Sequence, residues 1–98
     1  MMRDTQTTPA VPDPIRSRFR TLVVDGSASL LERLCRLLDP QPLIEVVGTA
    51  LQGIEALRLA EVRQPDLVLM DLNLPLVDGV PATVLLRRRL PRIRVILM

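Results

Sequence analysis

Four short apolar runs recur along the chain: LVV at 22–24, IEVV at 44–47, LVLM at 67–70 and VILM at 95–98. Each has the length of a strand, and the stretches between them have helical character. Short apolar strands alternating with helices predict an α/β fold, a doubly wound parallel sheet covered by helices on both faces. Crossovers in such a sheet are right-handed. No apolar run exceeds four residues, far too short to span a bilayer or to form a signal-peptide core. A cytoplasmic protein with no membrane partner is expected.

Local signals set the helix limits. The first helix is expected to start near Ser27 or Ser29, and Ser29 followed by Glu32 fits a capping box. Leu30, Leu31, Leu34, Leu37 and Leu38 then form an apolar stripe, with Pro40 and Pro42 ending the helix. A second helix over about residues 52–63 turns Ile54, Leu57 and Ala60 inward and stops before Pro65. A third follows Gly79, accepts Pro81 in its first turn, and closes at Pro91. Residues 1–19 hold three prolines and little apolar periodicity, and read as a disordered tail preceding a domain over 20–98.

Composition excludes several chemistries. The 98 residues include no histidine and one cysteine, so neither a Ser-His-Asp triad nor an ordinary zinc site is available. Cys35 lies in an apolar helical stretch and reads as a core thiol. Phe19 is the one aromatic residue, which argues against recognition of single-stranded nucleic acid on a stacking platform. All 13 basic residues are arginines. Arg87, Arg88, Arg89, Arg92 and Arg94 form the dense cluster, read as a solvated helix end complementing the helix dipole, with a nucleic-acid patch as the alternative.

What remains for chemistry is carboxylate. Parallel strands gather their carboxyl ends at one edge of the sheet, where ligands bind. TLVVD ends the first strand on Asp25, and DLVLMD ends the third on Asp71. If the two strands are neighbours, the acids meet. At ~5 Å and an effective dielectric of about 20 they repel by roughly 3 kcal/mol, which a proton, an arginine or a divalent cation must offset. Hard oxygen donors suit magnesium, and a carboxylate can attack phosphorus to give an aspartyl phosphate. Either acid taken singly is equally well a strand end or turn cap.

These segments resemble the receiver domain of two-component response regulators. Asp71-x-x-Leu74-Pro75-x-x-Asp78-Gly79, after a strand introduced by Pro65-Asp66, looks like the phosphoacceptor segment. TLVVD, EVVGTALQGIEAL at 45–57 and RVILM at 94–98 fit in order and spacing, so the likeness covers residues 20–98. The wording is similar to receivers joined to helix-turn-helix DNA-binding output domains. The resemblance implies a flavodoxin-like fold and a non-enzymatic signalling role. Asp71 is then phosphorylated by a partner sensor histidine kinase, and Asp25, Asp71 and the Asn73 carbonyl hold Mg²⁺. Pro75 and Gly79 shape the loop into the third helix.

Two departures qualify that expectation. Receivers usually carry a second acid directly after the one at the first strand, and here that position is Gly26, so weak magnesium binding is expected. The sequence also ends on the fourth strand, which implies a partial receiver, expected to be either a poorly stable monomer or a species that dimerises through its exposed fourth-strand edge. With no output domain in the sequence, no direct nucleic-acid binding is expected. The alternative to a phosphoacceptor is a pseudo-receiver acting through protein–protein contacts. A flavodoxin-like nucleotide or flavin binder finds no support, because no Gly-rich loop follows a strand.

Overall fold

The computed structural model describes residues 18–74 and 79–98. In chain order the elements are β1 (Phe19–Val24), α1 (Ala28–Leu38), β2 (Ile44–Ala50), α2 (Gly53–Arg63), β3 (Leu67–Met70), α3 (Gly79–Arg89) and β4 (Arg94–Leu97). Among the described residues the strands form one parallel sheet in the order β2-β1-β3-β4. The expected α/β class and element order hold, and β1 and β3 are neighbours.

Two strand limits move. β1 begins at Phe19, inside the stretch read as tail, because its backbone N–H donates to Leu43 O at 2.6 Å and it pairs with Ile44. β2 continues past Val47 to Ala50, since Gly48, Thr49 and Ala50 still pair with Leu22, Val23 and Val24. The register slips between Thr21 and Leu22, leaving Val47 as the extra residue of a bulge. The Arg63 guanidinium donates to the Val47 carbonyl there, so the bulge is held by the last turn of α2.

One face of the sheet holds the core. Leu22, Val24, Val68 and Met70 pack with Ala56 and Ala60 of α2, Ala82 and Leu86 of α3, and Ile93. The expected cover on both faces of the sheet is uneven at β3: Val68 and Met70 are fully buried, while Leu67 and Leu69 are half-buried. The opposite face is covered by α1, whose contacts fall on β1 and β2. β4 lies at the sheet's end, with Ile96 at 52% exposure.

Helix faces follow size as much as hydrophobicity. In α2 the buried positions are Gly53, Ala56 and Ala60, small residues that let the helix approach the sheet closely. Ile54, expected to face inward, is exposed, and Leu57 is half-buried. In α1 the expected five-leucine stripe narrows. Leu31 is buried, Leu34 and Leu38 are half-buried, and Leu30 and Leu37 are exposed. Cys35 is likewise half-buried rather than a core thiol, although burial still pushes its thiol above the ordinary range.

No capping box forms among the described residues: Glu32 pairs with Arg36, and the helix has a single side-chain cap. Ser27 is the N-cap, in extended backbone geometry, and its Oγ accepts from the Leu30 N–H at 3.3 Å. Ser29 instead shares a 3.1 Å hydroxyl contact with Ser27. The capping role makes a direct prediction. In urea melts, Ser27→Ala is expected to cost about 1 kcal/mol, and Ser29→Ala well under half of that. Equal losses would contradict this cap.

Candidate functional site

The site is built by register. Val24 of β1 pairs with Met70 of β3, so the next residue on each strand, Asp25 and Asp71, emerges side by side at the carboxyl edge. Backbone hydrogen bonds secure both positions: Asp71 N–H donates to Val24 O at 2.8 Å, and Asp25 N–H donates to Ala50 O at 3.1 Å. The strand ends are therefore tied across β2, β1 and β3 at the level of the two acids.

Each acid then turns its own loop. Asp25 Oδ1 accepts from the Ser27 N–H at 2.9 Å, and Asp71 Oδ1 accepts from the Asn73 N–H at 3.0 Å. Both are Asx turns, in which a short carboxylate bonds the backbone two residues on. Among the described residues the other oxygen of each carboxylate has no hydrogen-bond partner. Asp25 is buried, at 7% exposure.

The loop after Asp71 is anchored on both sides. Leu72 N–H donates to Met98 O at 3.2 Å, and Leu74 drops into the core at 4% exposure. Asn73 sits between them and is exposed. Pro75 and Asp78 lie outside the described residues, while Gly79 opens α3 as expected. Thr83, one turn into that helix, bonds the Met70 sulfur at 3.8 Å, linking α3 to the strand that bears Asp71.

Among the described residues no group of three His, Cys, Asp or Glu side chains comes together. Gly26, exposed beside Asp25, accounts for this: the position that would add a third acid has no side chain. The donor set is two adjacent carboxylates, each with an open oxygen, and backbone carbonyls of the 71–74 loop. Hard oxygen donors of this kind fit a magnesium ion that keeps several of its waters.

Sequence reasoning did not identify Asp66. At the opposite edge its Oδ2 accepts from the Arg20 N–H at 2.9 Å, its N–H donates to Arg20 O at 2.7 Å, and its carbonyl accepts from Arg94 N–H at 3.1 Å. One residue thereby aligns β1, β3 and β4. A Pro-Asp pair opening a strand was the available signal.

The fold is that of a response-regulator receiver, and comparison with known proteins agrees. The response regulator receiver domain model matches residues 21–98, and the chain belongs to that family. Among curated relatives, a protein-glutamate methylesterase/protein-glutamine glutaminase of Myxococcus xanthus is 45% identical over 65 residues, covering 66% of this chain and 18% of that protein. The chain thus spans about a fifth of the length of the curated relatives it matches.

Two solved structures are also similar. A LuxR-family two-component response regulator from Aurantimonas sp. superposes with a TM-score of 0.78 at 34% identity, covering 83% of this chain and 58% of that one. The response regulator domain of Thermotoga maritima CheB gives 0.73 at 38% identity, covering 82% and 59%. One neighbour is thus a LuxR-family regulator, whereas the curated relatives named above are methylesterases. The receiver portion does not by itself specify the output. Among the described residues no helix is long and apolar enough to cross a membrane.

Proposed function

We propose that Asp71 is the phosphoacceptor of this receiver and that Asp25, Asp71 and the Asn73 carbonyl hold Mg²⁺ beside it. The observation that carries this reading is the pairing of Val24 with Met70, which sets two carboxylates side by side, each with one oxygen uncommitted. The free oxygen of Asp71 attacks phosphorus, the bond from phosphorus to the donor breaks, and the donor leaves with that electron pair. The product is an acyl phosphate on Asp71. When bound, the cation supplies positive charge to the phosphoryl oxygens and to the two carboxylates.

The chain's own residues handle orientation. The bond from the Asn73 N–H holds the Asp71 carboxylate by one oxygen, leaving the other for phosphorus. Asp25, held through Ser27, contributes charge rather than a nucleophile. A histidine kinase is the donor in this reading, consistent with a chain that has no histidine of its own. The family assignment supports the phosphoacceptor reading over a pseudo-receiver.

Intact mass after incubation with acetyl phosphate and Mg²⁺ tests the proposal. A single phosphoryl adduct is expected, absent in Asp71→Asn and formed about tenfold or more slowly in Asp25→Asn. An adduct that survives Asp71→Asn, or none at any magnesium level, overturns the assignment. Gly26 provides a gain-of-function counterpart. Among the described residues no glycine has a positive φ, so a side chain at 26 is not barred by the backbone. Gly26→Asp is expected to tighten Mg²⁺ by about tenfold in calorimetric titration; unchanged affinity would show that the open oxygens do not face the ion.

A further inference from the structure

At the amino edge of the sheet, opposite the two acids, lies a cleft of about 820 Å³ lined by Arg18, Phe19, Asp66, Arg89, Arg92 and Arg94. Pro65 and Leu90 add apolar wall. We propose that this cleft binds a nucleotide, with its phosphates on Arg18, Arg92 and Arg94 and its base against Phe19.

The charges are only partly accounted for within the chain. Arg89 is engaged by Glu61 at 2.5 Å, and Arg18 Nε donates to Pro42 O at 3.4 Å. Arg92 and Arg94 have no side-chain hydrogen bond or ion pair among the described residues. The lining carboxylate, Asp66, already accepts from Arg20 N–H. The dipole of α3 explains Arg87, Arg88 and Arg89 in its last turn, but Arg92 and Arg94 lie beyond that helix. Like charges gathered round one cleft repel, and a polyanion removes the repulsion. Guanidinium groups present paired donors that match phosphate oxygens.

Phe19 identifies the rest of the ligand. The chain's one aromatic is 45% exposed at the start of β1 and lines this same cleft. An exposed ring beside unpaired guanidinium groups suits a flat base attached to phosphate. The cleft's size also falls within the roughly 300–1,000 Å³ usual for small-molecule sites. A single-stranded polymer is disfavoured, because tracking successive bases takes several rings. Asp66, which lines the cleft, also ties β1, β3 and β4 together. This mode needs no Gly-rich loop, which binds phosphate through backbone N–H groups at the other edge of such sheets.

Calorimetric titration of the full 98-residue chain with ADP, inorganic triphosphate and an oligothymidylate tests the proposal. ADP is expected to bind one site, with affinity falling about tenfold or more in Arg92→Ala and in Arg94→Ala. Phe19→Leu, which keeps an apolar residue in β1, is expected to weaken ADP but not triphosphate. Circular dichroism melts of each variant verify that it is folded. No ADP binding at millimolar concentration, equal ADP affinity in the folded arginine variants, or an ADP affinity that Phe19→Leu leaves unchanged overturns the proposal. Affinity that grows with oligothymidylate length, exceeding that for ADP, also overturns it in favour of a nucleic-acid surface.

Discussion

The alignment of β1 with β3 is the constraint on which the site depends. Side chains alternate between faces along a strand, so a one-residue slip would exchange buried Leu22 and Val24 for Thr21 and Val23 on the core face. It would also move Asp25 away from Asp71. Burial and chemistry therefore select the same register. Asp66 secures it at the amino edge through Arg20, and the bond from Asp71 N–H to Val24 O secures it at the carboxyl edge.

From that alignment the two ends of the sheet acquire opposite characters. The carboxyl edge presents two acids, each bent back on its own loop with an oxygen left over. The amino edge presents a cleft lined by arginines, with Phe19, Pro65 and Leu90 in its wall. Neither arrangement is balanced within the described residues, and each imbalance points to a ligand of opposite charge. The core lies between them, formed on one face by small residues of α2 and the Leu86 side of α3.

Much of this was legible in the sequence because the signals were local. Apolar runs marked the strands, Gly79 and Pro91 bracketed α3, and Asp25 and Asp71 followed their strands directly. The misreadings concern geometry that hydrophobicity does not encode. Ile54 points outward because Gly53, Ala56 and Ala60 give α2 its close approach to the sheet. Leu30 and Leu37 are exposed because α1 meets β1 and β2 chiefly through Leu31, its buried residue. Ser27 displaces Ser29 as cap because Asp25 captures the Ser27 N–H and turns the chain just before the helix. The Asp66 clamp and the bulge at Val47 depend on which backbone groups are left over at strand ends, visible only after the strands are paired.

The central claim is that register joins Asp25 and Asp71 into one site, and a Mg²⁺ titration followed by amide resonances in two-dimensional NMR tests it most directly. The account predicts that the amides of Ser27 and Asn73, each bonded to one of the two carboxylates, shift together with one dissociation constant. It further predicts that Asp25→Asn weakens the response at both. Shifts at the two amides with unrelated constants, or an Asn73 response indifferent to Asp25→Asn, would contradict it.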